Sequence, residues 1–176
     1  MKEKPDTVRI AGIVKESIVD GPGIRFVVFA QGCPHRCKGC HNEATHDFSG
    51  GEDYEIEKIV SEAVKNPLLS GVSFSGGEPF SQPEGFLNLA FGLKEKGMNI
   101  LAFTGYTYEE LLSLSRKNES IGKLLQNIDI LIDGRFVLEK RDLMLKFRGS
   151  SNQRMIDMNA TRAAGKAVLV ADENDY

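Results

Sequence analysis

The sequence has no tryptophan, only three cysteines and three histidines among its 176 residues, and no long apolar run. Each scarcity excludes something. An odd cysteine count cannot form a complete set of disulfide pairs, and three thiols fall one short of the four ligands that close a structural zinc site. No segment approaches the ~18–20 apolar residues needed to cross a bilayer, and the opening "MKEKPDTVRI" lacks the apolar core of a signal peptide. A cytoplasmic protein with no membrane partner is expected. Neither sign of charge dominates: a net charge of −3 and a pI near 5.7 give no global electrostatic reason to bind nucleic acid, so none is expected as a partner. In a reducing compartment, clustered thiols more often bind metal or do redox chemistry than form disulfides.

What is present is the balance of an ordinary globular chain, with 41% hydrophobic and 27% charged residues. One domain over residues 1–176 is expected, with the acidic tail "ADENDY" (171–176) frayed. Short β-branched or aromatic runs at 24–30, 71–75, 98–103 and 128–132 read as strands, and "KAVLV" (166–170) as a fifth. Between them, Ile56, Ile59, Val60, Ala63 and Val64 recur at helical spacing, as do Phe86, Leu89, Ala90 and Leu93. A third helix is expected after Thr107, which has capping-box spacing to Glu110. Strand and helix alternate. The fold class is therefore α/β, built of repeated βα units with mostly parallel strands, and too few strands for the ~eight-stranded closure of a complete barrel.

In such sheets the ligand site lies beyond the carboxyl ends of the strands. Four turns follow the four strands there: the cysteine loop, "GGEP" (76–79), "TGY" (104–106) and "DGR" (133–135). Their convergence predicts one cleft.

All three cysteines fall within "GCPHRCKGCHN" (32–42). Cys33, Cys37 and Cys40 have CxxxCxxC spacing, and soft thiolates suit either an iron–sulfur cluster or zinc. Three of them around a cubane would leave one iron open. Zinc, with His35, His41 or His46 as fourth ligand, stays open on spacing alone. Local chemistry gives "SGGEPF", "DGPG" (20–23) and "DGR" ordinary turn readings, whereas Asp133 at a strand end also suits a cofactor hydroxyl or ammonium. Arg148, Ser150, Asn152 and Gln153 form a dense polar set that no turn requires.

The order of these motifs carries a family resemblance. "DGPGIRFVVFAQGCPHRCKGCHN" and "SGGEP" resemble the activating enzymes of glycyl-radical enzymes within the radical S-adenosylmethionine superfamily. "FTGYTYEEL", "IDILIDGRF" and "FRGSSNQR" resemble the activators of anaerobic ribonucleoside-triphosphate reductase, and the likeness runs from about residue 8 to 158. The resemblance implies a partial, open radical-SAM-type β/α barrel. It implies a [4Fe–4S] cluster on Cys33, Cys37 and Cys40, with S-adenosylmethionine chelating the fourth iron through its amino and carboxylate groups. Gly76 and Gly77 would take the methionine part, with Glu78 near its ammonium, so a Gly77→Val change is expected to weaken cofactor binding and spare the cluster. Gly39, Cys40, His41, Thr104, Asp133, Arg148, Ser150 and Asn152 complete the implied cofactor site, and Asp20 and Gly21 would lie near the partner's glycine. Many superfamily members carry an aromatic residue just before the third cysteine, where this chain has Gly39, with His41 just after. The implied partners are the anaerobic reductase and a reduced donor such as flavodoxin or ferredoxin. No general base is expected. The alternatives are activation of another glycyl-radical enzyme such as pyruvate formate-lyase, a small-molecule radical enzyme, or a non-enzymatic zinc-binding module; chain length and "FRGSSNQR" oppose the first two.

Overall fold

Alternate residues of the central strands enter two different interiors, because successive side chains of an extended chain point to opposite faces. Phe26, Val28 and Ala30, then Val72 and Phe74, Ile100 and Ala102, and Leu131 join one core with Phe86, Leu89, Ala90 and Leu93. On the other face Leu101, Ile130, Ile132 and Met155 form a smaller cluster with Phe103 and Phe147. Burial on both sides is why these strands read as nearly continuous apolar runs.

The computed structural model describes residues 5–171. Strands β1 (Thr7–Ser17), β2 (Arg25–Ala30) and β3 (Glu52–Glu55) are followed by helix α1 (Ile56–Ala63) and strand β4 (Gly71–Gly76). Then come α2 (Pro83–Glu95), β5 (Ile100–Phe103), α3 (Tyr108–Ser115), α4 (Glu119–Gln126), β6 (Ile130–Asp133), β7 (Arg154–Asp157) and α5 (Met158–Ala164). The seven strands form one open sheet in the order β3-β1-β2-β4-β5-β6-β7. β2, β4, β5 and β6 are parallel in register, and each lies beside its predecessor. Their helices therefore pack in one layer on the larger core.

The edges differ from expectation. β1 pairs antiparallel with both β2 and β3, and β7 pairs antiparallel with β6, so the parallel ladder is confined to the centre. Residues 166–170 do not form the expected fifth strand; Leu169 makes a single bridge to Ile156. Of the acidic tail only Ala171 falls within the described residues.

Helix entries follow local chemistry. Thr107 and Glu110 form the expected reciprocal capping box at α3, and Pro83 occupies the first turn of α2, where its missing N–H has no intrahelical partner to lose. Asp157 caps α5 by accepting from the Ala160 amide. Among the described residues no helix is long and apolar enough to cross a membrane.

Candidate active site

The chain leaves β2 at Ala30 and folds into a cysteine loop that its own backbone closes. The Gly32 amide donates to Thr45 O (2.8 Å), Cys33 N to His46 O (3.2 Å) and Cys40 N to Cys37 O (3.2 Å). Gln31, buried beneath, donates its side-chain amide to Asp47 O (2.6 Å). Arg36 takes a left-handed conformation with φ 48°, which turns the chain between the first two cysteines. Cys33 is buried, Cys37 and Cys40 are half-buried, and none forms a disulfide.

All three thiols line one cavity of about 680 Å³ at the carboxyl ends of the parallel strands. Gly76 at the end of β4 and Gly77 after it, Thr104 and Gly105 after β5, and Gly134 after β6 share its wall. The four turns do meet. Burial, ahead of every other influence, pushes the Cys33 and Cys40 thiols up from their ordinary value, so as bare thiols they hold their protons. Among the described residues no three His, Cys, Asp or Glu side chains form a site for a single metal ion. A cubane has a different requirement, since its thiolates bind separate iron corners. Three soft donors on one wall of a roomy pocket, with no cysteine lost to a disulfide, fit such a cluster.

The turn after β4 is pressed against the base of the cysteine loop. Gly77 N donates to Ala30 O (2.7 Å) and Glu78 N to Gly32 O (2.8 Å). A Cβ on Gly77 would lie 2.4 Å from Gly32 O, and one on Gly76, at φ 83°, would lie 2.8 Å from Phe29 Cα. These glycines are needed for backbone packing inside the protein as well as for the cavity wall. The expectation that Gly77→Val spares the cluster therefore does not hold: the side chain would strike the residue preceding Cys33.

Glu78 is fully buried and does not line the cavity. Its oxygens accept from Phe80 N (3.0 Å), Gly105 N (2.9 Å), Thr104 Oγ1 (3.0 Å) and His35 Nε2 (2.9 Å). Glu78 is expected near a ligand ammonium; in the structure its carboxylate makes these four contacts within the protein. His35, weighed above as a zinc ligand, spends its Nε2 on this carboxylate. The imidazole packs edge-on against Tyr106 at 4.4 Å, in a slot where a Cβ on Gly105 would fall 2.2 Å from His35 Cδ2. Sequence reasoning gave Gly105 no role; a glycine directly behind the strand-end Thr104 was the only signal.

Asp133 is likewise turned inward, accepting from Tyr108 N (2.7 Å) and from Arg154 Nε (3.0 Å), and it does not line the cavity. Expected at the cofactor, Asp133 here serves helix entry and an ion pair. The polar set at 148–153 proves to serve a turn after all. Gln153 Oε1 accepts from Gly149 N (2.8 Å) and Ser150 N (3.1 Å), and its amide donates to Gly134 O (3.0 Å). Ser150 Oγ accepts from Val137 N, and Asn152 donates to Arg135 O. Neither Ser150 nor Asn152 lines the cavity, whereas Arg148, which donates to Gln153 O (3.0 Å), does.

His41 lines the cavity and leans on Phe136 with ring centroids 5.5 Å apart. Gly39 lies behind it, at φ 76°, where a Cβ would come within 3.1 Å of Leu138 Cδ1. Asp20 lines the cavity, its carboxylate accepting from Ser17 Oγ and its carbonyl from Ser73 Oγ (2.6 Å). Gly21 is buried at φ 131° against Leu101 and does not reach the wall.

The profile of the family described as a 4Fe-4S single cluster domain matches residues 19–156. The chain is 38% identical over 144 residues to the anaerobic ribonucleoside-triphosphate reductase-activating protein of Vibrio cholerae serotype O1, covering 77% of this chain and 89% of that one. It is 34% identical over 147 residues to the protein of the same name from Escherichia coli K12, covering 77% and 90%. The pyruvate formate-lyase-activating enzyme of Clostridium pasteurianum is 41% identical over 113 residues, a stretch that covers 59% of this chain and 48% of the relative. With the 4Fe-4S family profile matched over residues 19–156 and 89–90% of the length of the two reductase-activating relatives covered, this chain belongs to the family of anaerobic ribonucleoside-triphosphate reductase-activating proteins.

Proposed function

We propose that this chain is a single-domain, cytoplasmic radical S-adenosylmethionine activase that generates a glycyl radical on anaerobic ribonucleoside-triphosphate reductase. The observation that carries the reading is one cavity, beyond the parallel strands, lined by all three free cysteines. Cys33, Cys37 and Cys40 would hold a [4Fe–4S] cluster as thiolates, and binding would remove the protons that burial leaves on Cys33 and Cys40. Held there and reduced by a donor such as flavodoxin or ferredoxin, the cluster would supply the one electron needed for reductive cleavage of S-adenosylmethionine to methionine and 5′-deoxyadenosine, whose added hydrogen atom would come from the partner's glycine.

The chain's own residues position and shield. Gly76, Gly77 and Thr104 line the same cavity as the three cysteines and would take the methionine part. His41, braced by Phe136, offers a planar group next to Cys40 for the adenine end. Phe29, Phe103, Ile132 and Phe147 line the remainder and keep water from a reactive carbon centre.

A macromolecular substrate is supported by the cavity mouth. Ile18, Val19 and Leu143 line it, yet each is more than two-thirds exposed, and neighbouring Met144 is 90% exposed. Aliphatic groups so placed mark a surface that another protein covers. Pyruvate formate-lyase as the substrate is a second reading, with a shorter matched stretch behind it.

The test is to mix the anaerobically reconstituted, reduced protein with S-adenosylmethionine and the reductase. The expected result is 5′-deoxyadenosine and a doublet radical signal that narrows to a singlet when the glycine α-position carries deuterium. Stoichiometric zinc without sulfide would defeat the cluster. Cofactor cleavage that activates pyruvate formate-lyase but not the reductase would leave the chemistry standing and the partner wrong.

A further inference from the structure

We propose that His35 is a positioning residue which, through buried Glu78, locks the cysteine loop to the turns after β4 and β5, so that cluster and S-adenosylmethionine are held in one register. The inference rests on the function proposed above. The His35 and Glu78 side chains are 4% and 0% exposed, with Nε2 and Oε2 2.9 Å apart. Every other partner of the carboxylate is a donor: the Phe80 and Gly105 amides and the Thr104 hydroxyl. An acceptor-only carboxylate fixes the imidazole tautomer, so Nε2 carries the proton toward Glu78.

Three segments therefore meet on one side chain. His35 represents the cysteine loop between Cys33 and Cys37, Glu78 its own turn, and Thr104 with Gly105 the turn after β5. The slot that receives the ring is shaped for it, with Gly105 leaving space where a Cβ would collide and Tyr106 closing one side. Apart from this bond, the described ties between the loop and the segment joining β4 to α2 lie at the loop's stem: Gly77 N to Ala30 O, Glu78 N to Gly32 O and Gln82 Nε2 to Gln31 O. Those ties end before Cys33, and His35 carries the connection past it. A hydrogen bond to a buried carboxylate is stronger than one between neutral groups, which favours a single position for the short loop.

The experiment compares wild type with His35→Ala, His35→Gln and His35→Leu after anaerobic reconstitution. It reads iron and sulfide per chain, equilibrium affinity for S-adenosylmethionine, and the change in the reduced cluster's paramagnetic resonance spectrum when the cofactor is added. His35→Ala should keep its circular dichroism and its iron but lose at least about tenfold in cofactor affinity, with the cofactor-induced spectral change diminished. His35→Gln, whose amide N–H reaches toward the same carboxylate, should recover most of both. If the alanine variant does not fold, His35→Leu fills the slot without the hydrogen bond and takes its place in the comparison. Cofactor affinity within twofold of wild type and an unaltered spectral change in the alanine or leucine variant would overturn the proposal, as would a folded glutamine variant no better than they are. A wild-type cluster that shows no response to S-adenosylmethionine would instead remove the functional reading beneath it.

Discussion

Gly77→Ala tests how the cofactor turn and the cysteine loop are joined, because here the smallest possible side chain already fails to fit. The new methyl would lie 2.4 Å from Gly32 O and 2.9 Å from Ala30 O, both backbone atoms that cannot rotate away. Favourable contacts lie near 3.5 Å, so the two segments must part by about 1 Å. That parting strains the core by about 1–3 kcal/mol and weakens two hydrogen bonds, Gly77 N to Ala30 O and Glu78 N to Gly32 O, at about 0.5–1.5 kcal/mol each. The sum is about 2–6 kcal/mol, or about 4–24 °C in Tm for a chain of this size. The residue displaced is the neighbour of Cys33, so iron content after reconstitution should fall with stability. Gly97→Ala is the control: it lies at φ 73° with nothing within 4 Å of the new Cβ, so it should lose about 1–2 kcal/mol through backbone strain alone and retain full iron. Differential scanning of the apo-protein with iron and sulfide analysis decides the matter. A Gly77→Ala protein with wild-type Tm and four irons would refute the reasoning.

Arg25→Met should destabilise by about 2–4 kcal/mol in urea titration, since Arg25 is buried and donates to Ser73 Oγ, Asn99 Oδ1 and Val72 O; the same burial holds its own pKa down to about 10. Leu143→Asp should suppress radical formation on the reductase while leaving cofactor affinity within twofold, and equal loss of both would remove the mouth from the docking surface. Thr107→Ala should lower stability by about 1 kcal/mol through loss of the α3 capping box, read as a shift in denaturation midpoint. Arg154 holds the Glu109 carboxyl below its ordinary value, so the pair stabilises above the unfolded pKa and ceases to as pH falls through the folded one. Glu109→Gln should thus cost no more than about 0.5 kcal/mol at neutral pH, the pair being exposed, and nothing in acid.

The central strands were legible because both faces of each are buried, which writes an apolar run into the sequence. β3, "EDYE", is exposed along its whole length and carries no such signal, and β1 alternates irregularly because its pairing to β2 shifts register twice. "KAVLV" shows the opposite failure, an apolar run that makes only one bridge. The grouping of the cysteines was legible from spacing, the preference for a cluster over zinc came from the family resemblance, and the convergence of four turns followed from their places after successive strands. The internal partners of the carboxylates were not. Glu78 and Asp133 lie at or just past strand ends, and the partners they meet in the fold, His35 and Arg154, are 43 and 21 residues away. The same holds for "FRGSSNQR", whose density of polar groups is consumed largely by its own turn through Gln153.

A common construction underlies these placements. The side chains that fix the cleft point away from it: Glu78 gathers the turns after β2, β4 and β5, Asp133 joins the turn after β6 to α3, and Gln82 clasps Arg9 O and Gln31 O from beneath the cysteine loop. What they leave on the wall is glycine, hydroxyl, aromatic and aliphatic surface with three thiols, three imidazoles, two side-chain amides and Arg148, and among the described residues its acids are Asp20 and Asp142. A site whose frame is rigid suits chemistry in which the protein chiefly positions reactants. The two tiers should separate on mutation. Glu78→Gln, which weakens the frame, should change iron retention and cofactor affinity together, whereas His41→Ala, on the wall beside Cys40, should lower cofactor affinity with iron intact. If Glu78→Gln left both properties unchanged, or if His41→Ala shed the cluster, the division between frame and wall would be wrong, and the cleft would have to be held by its ligands instead of by the fold.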